Sequence, residues 1–281
     1  MPMHGRCGVI MPELPEVETT CRGLRPHLEG ARIMTAVVRK RALRRPIPRQ
    51  LPQRVAGATV RAINRRGKYL LIDCGHGTLI VHLGMSGRLW LVDAATPPQT
   101  HDHFDLVLAG GSAVRLRDPR RFGLVLWHGG DPLSHALLRD IGPEPLSSDF
   151  DGAWLYGKTR GRGGAVKNAL MDSHLVAGIG NIYANEALFR AGINPKTAAR
   201  RVGPARYRLL VEKIRETLNL AIDAGGSSLR DYVNSRGEAG YFQDRFMVYD
   251  RAGRPCFNCG APVRELRQGQ RSTFYCPRCQ R

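Results

Sequence analysis

Cys256-Phe-Asn-Cys259 and Cys276-Pro-Arg-Cys279, two Cys-x-x-Cys knuckles with 16 residues between them, close this 281-residue chain. Each knuckle presents two thiolates from one tight turn, and a pair of knuckles brings four sulfurs to the corners of a tetrahedron, the coordination of a closed structural zinc site. The stretch from Gly260 to Tyr275 is long enough for one β-hairpin, so the segment reads as a zinc ribbon. Two disulfides or a redox pair are the alternatives, and the doubling of the motif argues against both. The other thiols, Cys7, Cys21 and Cys74, are scattered and read as reduced residues.

Working back from the ribbon, the sequence has helical texture. Residues 165–171, 182–191 and 205–224 are predicted helices; in the last, Leu209, Ile214, Leu218, Ala221 and Ile222 form one stripe and Gly225-Gly226 stops it. Val176-Ala-Gly-Ile-Gly-Asn-Ile-Tyr-Ala-Asn185 lies between two of these helices. Its glycines permit tight turns, and the N–H groups of a helix opening near Asn181 are expected to be able to hold a phosphate. Ile141-Gly-Pro-Glu-Pro-Leu-Ser-Ser148 breaks both helix and strand and marks a domain boundary.

Ahead of that boundary the texture is β. Residues 32–38, 59–63, 69–73, 78–83, 88–92, 104–108, 113–116 and 123–127 are short runs separated by Gly, Pro and charge, with Gly110-Gly111 as a hairpin turn. They predict an antiparallel sandwich or barrel. Residues 15–27 precede them as a helix, with Pro15 in the first turn, Glu16 and Glu18 near its positive end, and Val17, Cys21 and Leu24 on one face. The fold class is α+β in two domains.

The net charge of +19, from 43 basic and 24 acidic residues, points to a polyanionic partner. Only six of the basic residues are lysines, which shortens the list of side-chain amines able to lose a proton and react. No run is apolar enough to span a membrane, Met1 to Ile10 lacks a secretory pattern, and free thiols beside a zinc motif suit a reducing compartment, so a cytoplasmic protein is expected. His101-Asp-His103 lacks a third fixed ligand and reads as a strand entry; no catalytic metal is assigned.

Met11-Pro-Glu-Leu-Pro-Glu-Val-Glu-Thr-Thr20, Asn64-Arg-Arg-Gly-Lys-Tyr-Leu-Leu71, His82-Leu-Gly-Met-Ser-Gly87, His101-Asp-His-Phe-Asp-Leu106, Asp118-Pro-Arg-Arg-Phe-Gly123 and Gly178-Ile-Gly-Asn-Ile-Tyr-Ala184 occur in this order, followed by the ribbon. Together they resemble bacterial formamidopyrimidine-DNA glycosylases over residues 11–281. The resemblance implies an N-terminal β-sandwich with a leading helix (12–142), a linker (143–155), a helix-two-turn-helix domain (156–240) and a zinc-ribbon finger (241–281), with one structural zinc. It also implies base-excision repair on the bacterial nucleoid by a monomer without a nucleotide cofactor: oxidised purines, chiefly 8-oxoguanine and formamidopyrimidines, are removed from duplex DNA, and the abasic site is cut by β,δ-elimination.

By the same resemblance the nucleophile is the amine of Pro12, whose secondary nitrogen can form a Schiff base with sugar C1′. Glu13 becomes the general acid/base, Lys68 the ammonium near the lesion and its 3′ phosphate, and Arg271 the clamp on the flanking phosphates. Glu16 matches an acidic position near the nucleophile. His82, Lys167 and Asn181 are carried over as DNA contacts, and Met85, Arg120 and Phe122 as the set that fills the void left by an extruded base. Ser227 to Arg245 fits a lesion-capping loop. Inside a chain the Pro12 nitrogen is a tertiary amide that cannot attack, so residues 1–10 are expected to be an over-extended start and Met11 the removed initiator. Two rivals stay open: an endonuclease VIII-like enzyme for oxidised pyrimidines, against which Leu14, Met85, Arg120 and Phe122 weigh, and a non-catalytic DNA-binding homologue that retains residues 1–11.

Overall fold

A computed structural model of the chain describes residues 11–227 and 240–281. The expected extension 1–10 and the greater part of the expected capping loop, 228–239, lie outside the described residues.

The first described element is α1 (Leu14–Leu28), entered through Pro15 and closed at its first turn by the Glu16 carboxylate, which accepts the Glu13 N–H at 2.9 Å. Val17, Cys21, Leu24 and Leu28 are buried on its inner side. Eight strands follow: β1 (Ile33–Val38), β2 (Ala62–Arg66), β3 (Tyr69–Asp73), β4 (Thr78–His82), β5 (Arg88–Asp93), β6 (Asp102–Leu108), β7 (Ser112–Arg117) and β8 (Leu124–His128), with a short helix α2 (Leu51–Val55) between the first two. They form two antiparallel sheets, ordered β1-β6-β7-β5 and β2-β3-β4-β8. Ile33, Phe104, Leu106, Val114 and Leu116 of the first sheet share one buried cluster with Leu70, Ile72, Leu79, Val81 and Val125 of the second. A sandwich, not a closed barrel, is therefore the arrangement. The turn between β6 and β7 falls on Gly110-Gly111, as the sequence predicts, with Gly111 at φ +80°.

One strand sits later than predicted. Of the run 59–63, Thr59 makes only a bridge to Arg32 while Ala62 and Ile63 open β2, which continues to Arg66 and pairs Ala62 with Asp73 and Arg66 with Tyr69. The charges of Arg65 and Arg66 disguise this strand. Their guanidiniums are neutralised by Glu144, at 2.6 and 3.0 Å, and Arg65 also meets Glu18 at 2.9 Å. The register leaves Gly67-Lys68 as the two-residue tip of the β2–β3 hairpin, with Gly67 at φ +55°. Lys68 is thereby presented at the edge of the sandwich that faces the second domain.

That domain holds α3 (Gly152–Thr159), α4 (Val166–Leu170), α5 (Asn181–Arg190) and α6 (Pro204–Asp223), with Leu155, Val166, Ile182, Leu188, Leu210, Ile214 and Leu218 in one core. α3 runs through the junction expected at 155–156: the Asp151 carboxylate accepts the Trp154 N–H at 2.6 Å and starts the helix earlier. Its glycines and weak apolar periodicity hide it from sequence. The finger is the hairpin of β9 (Arg264–Gln268) and β10 (Arg271–Tyr275). It is anchored to α5, where Asn185 accepts the Phe274 N–H at 2.8 Å and the buried Glu186 carboxylate accepts those of Met247, Val248 and Tyr249 at 2.9, 3.0 and 2.9 Å.

The first sheet contains a buried ion cluster. Arg115, 2% exposed, donates to both oxygens of Asp105 at 2.9 and 2.8 Å, reaches the Thr96 carbonyl at 2.9 Å, and lies 3.7 Å from Asp102. Removing one member of such a cluster leaves buried carboxylates undercompensated. Arg115→Met is expected to lower the unfolding free energy by about 3 kcal/mol, read as a reduced urea midpoint; an unchanged midpoint would contradict this role.

Candidate active site

The seam between the domains is built around the start of α5. The chain turns at Gly178 (φ +77°), whose carbonyl accepts the Leu14 N–H at 3.1 Å, and enters the helix after Gly180. The Glu13 carboxylate sits on that helix N-terminus, with Oε2 accepting the Gly180 N–H at 2.7 Å and Oε1 the Ile182 N–H at 3.0 Å. A Cβ at Gly180 would lie 2.3 Å from the Glu13 carboxyl carbon, so the approach requires glycine there. These are the N–H groups that the sequence offered to a phosphate. An internal carboxylate takes them instead, because it supplies the same negative charge to the helix dipole from inside the protein.

Glu13 is 3% exposed. Burial pushes its carboxyl above the usual glutamate value; the Lys68 charge and the Ile182 and Tyr183 N–H groups pull it down, while Glu16 pushes it up. Burial moves Lys68 the opposite way, below the usual ammonium range, and Arg271 adds to that shift while Glu13 and Glu16 oppose it. An acid that holds its proton longer than usual thus faces an amine that releases its proton sooner. Pro12, buried, immediately precedes Glu13. Glu16 is fully buried and accepts the Tyr183 hydroxyl at 2.6 Å and the Ser227 N–H and hydroxyl at 2.8 and 2.9 Å. This carboxylate ties α1, α5 and Ser227 together, a larger role than dipole compensation.

His82, at the end of β4, is held neutral: burial, then Lys68 and Arg44, push it down to about 3. Its Nδ1 accepts the Gly84 N–H at 2.9 Å and its ring lies 4.7 Å from that of Tyr69. Nε2 therefore carries the proton and is a donor. Arg271 is exposed at the start of β10.

Lys167 differs from expectation. Its ammonium is fully buried and donates to the Ser272 carbonyl at 2.8 Å and the Thr273 hydroxyl at 2.7 Å, so it grips the finger hairpin next to Arg271 rather than standing open to a phosphate. Burial and the Arg271 charge bring it down to about 8. Asn181, the first residue of α5, is half-buried, and its side-chain Oδ1 has no protein partner among the described residues.

Met85, Arg120 and Phe122 form a second group on two adjacent turns of the sandwich. Met85 is half-buried, Arg120 is exposed, Phe122 is 42% exposed, and the Arg120 guanidinium lies 5.2 Å from the Phe122 ring centroid. His101-Asp-His103 is a strand entry, with the His103 Nε2 3.0 Å from the Asp118 carbonyl. Sequence reasoning missed Asn185, Glu186 and Glu144, which fasten the finger and the hairpin of Lys68. Glu186 had a signal: a carboxylate inside an otherwise apolar helix needs a buried partner.

The four finger thiols are the single potential metal group among the described residues, their sulfurs all within 4.8 Å of one another. The Cys256–Cys279 and Cys259–Cys276 sulfurs are 3.9 and 3.4 Å apart. A zinc tetrahedron with bonds of about 2.3 Å needs edges of about 3.8 Å, so the site fits one structural zinc. Four thiolates leave no position for an activated water.

Opposed proton affinities buried at a domain seam, in a chain of net charge +19 with a zinc finger beside the seam, are the equipment of an enzyme that works on nucleic acid. Models of the formamidopyrimidine-DNA glycosylase N-terminal domain, of its H2TH domain, and of the zinc finger found in FPG and IleRS match residues 11–125, 141–233 and 253–281. Formamidopyrimidine-DNA glycosylases of Aromatoleum aromaticum and Methylococcus capsulatus are 56% and 55% identical over 271 residues, covering 96% of this chain and all of theirs. The MutM (Fpg) structure from Thermus thermophilus superposes with a TM-score of 0.86 at 38% identity, over 96% of this chain and 98% of that one. A Lactococcus lactis Fpg mutant in complex with Fapy-dG-containing DNA superposes at 0.89 with 35% identity, over 96% and 100%. The chain belongs to the formamidopyrimidine-DNA glycosylase family. No described helix is long and apolar enough to cross a membrane.

Because the finger carries Arg271 but no open coordination position, Cys276→Ser is expected to lose zinc and lesion-DNA affinity together. Metal content and fluorescence-anisotropy binding check this; unchanged binding by a verified zinc-free variant would refute it.

Proposed function

We propose that this protein removes oxidised purines, 8-oxoguanine and formamidopyrimidines, from duplex DNA and then cuts the abasic strand by β- and δ-elimination. It is an enzyme of base-excision repair, a DNA-formamidopyrimidine glycosylase with abasic-site lyase activity. The observation that carries this reading is Glu13, next to Pro12, buried against the α5 N-terminus with Lys68 in its field.

The Pro12 amine attacks C1′ as the bond to the damaged base breaks, and the nitrogen–carbon adduct opens to a protonated Schiff base. Glu13 delivers the proton that opens the sugar ring and takes it back later, which its raised affinity suits. Lys68 moves protons at the elimination steps: as the C2′ proton is lost, the electrons of the C2′–H bond flow toward the Schiff base and the 3′ phosphate is expelled, and a second elimination expels the 5′ phosphate. Arg271, His82 and Asn181 meet the backbone around the lesion, with Lys167 holding the Arg271 hairpin. Met85 and Phe122 fill the emptied stack while Arg120 donates to the orphaned cytosine.

Four segments divide these tasks: sandwich, linker, helical domain beginning by Gly152, and finger. The working form proposed is a monomer in the bacterial cytoplasm with its DNA and without a nucleotide cofactor. The chemistry requires Pro12 to be the first residue, and the family match beginning at residue 11 supports Met11 as the removed initiator.

The test compares protein expressed from the Met11 codon with the 281-residue form carrying Met11→Ala. Duplexes containing 8-oxoguanine opposite cytosine or thymine glycol are incubated with chelator, over a time too short to strip the finger zinc, and reduced with borohydride. The Met11 form should cut the 8-oxoguanine strand with β,δ-products and yield a trapped adduct; the longer form should yield none. Intact 8-oxoguanine beside efficient thymine-glycol cutting would select the pyrimidine-specific reading, and trapping by a product verified to start at Met1 would overturn the Pro12 mechanism.

A further inference from the structure

The two turns that carry Met85, Arg120 and Phe122 are clasped to each other by groups that the chemistry above does not use. Asp118, fully buried after β7, accepts the Gly123 N–H through Oδ2 at 2.7 Å and the Ser86 hydroxyl through Oδ1 at 3.0 Å. The same Ser86 oxygen accepts the Arg120 N–H at 3.3 Å. One hydroxyl therefore joins the turn of Met85 to the backbone of Arg120, and one carboxylate joins it to the far end of the Phe122 turn.

The main-chain groups of Asp118 hold the other side: its carbonyl accepts the Arg121 N–H at 3.1 Å and its N–H donates to the His101 carbonyl at 3.0 Å. The turns are in backbone contact. A Cβ on Gly84, at φ +68°, would lie 2.5 Å from both the Phe122 carbonyl carbon and the Gly123 nitrogen. Arg121 is a non-glycine residue at φ +57°, a conformation that needs outside support to persist.

We propose that Ser86 and Asp118 are positioning residues that fix Met85, Arg120 and Phe122 relative to one another, and thereby set the efficiency of base extrusion and the preference for the opposite base. This rests on the void-filling role given to those three side chains. A wedge on two independently moving turns would have to be ordered each time it entered the stack, whereas clasped turns enter already arranged. Ser86 itself need not touch DNA.

The experiment is single-turnover kinetics of Ser86→Ala, Ser86→Thr and Arg120→Ala on duplexes carrying 8-oxoguanine opposite cytosine or adenine, and on a duplex with a preformed abasic site. Loss of the hydroxyl should slow base release opposite cytosine about tenfold and narrow the cytosine-over-adenine ratio, with abasic-site cleavage inside about twofold of the parent. Ser86→Thr should restore both readouts. Equal slowing on lesion and abasic duplexes, or an unchanged opposite-base ratio in Ser86→Ala while Arg120→Ala loses it, would overturn the proposal. An unchanged ratio in Arg120→Ala would instead remove the void-filling reading beneath it.

Discussion

The site depends on one carboxylate shared by two domains. Glu13 belongs to the entry of α1, packed on the sandwich, yet both of its oxygens are spent on the first N–H groups of α5 in the helical domain. Buried N–H groups left without a partner would cost about 1–3 kcal/mol each, so the contact fixes the relative placement of the domains as well as the orientation of the carboxyl. Further along the same helix, Asn185 and Glu186 hold the finger. A single ten-residue helix thus indexes sandwich, helical domain and zinc hairpin against one another.

The same placement produces the chemistry. Taking Glu13 and Lys68 out of water disfavours the charge on each, and their mutual attraction offsets only part of that. Both are left closer to proton exchange than free side chains would be. The surrounding cations sharpen the effect of burial: Arg271 adds to the lowering of Lys68 and Lys167, and Lys68 adds to the burial that keeps His82 neutral. An approaching phosphate would relieve this concentration of positive charge, so substrate binding and the tuning of the site are linked through one local field.

The sequence disclosed what is encoded locally. Paired cysteines specify the finger through spacing alone, and most strands and long helices lie where alternation and stripes place them. It was blind where meaning comes from a distant partner. Arg65 and Arg66 look like a polar loop until Glu144 neutralises them and turns their segment into β2, which moves Lys68 to the tip of a hairpin. Gly180 and its neighbours look like a phosphate cradle until Glu13 arrives from 167 residues away. Lys167 reads as a phosphate contact until the hairpin closes over it. Glu13 and Lys68, which the resemblance marked, meet at the seam; the contacts that tune them became visible only when the two domains met.

The direct measurement is the titration of the Glu13 side-chain carboxyl by carbon-13 NMR, assigned by its loss in Glu13→Gln and repeated in Lys68→Met. A raised carboxyl that Lys68 partly restrains should titrate above the ordinary glutamate value in the parent and higher still once the lysine charge is gone. A Glu13 resonance at or below the ordinary value, or one that moves down in Lys68→Met, would contradict a desolvated acid poised against Lys68 at the domain seam.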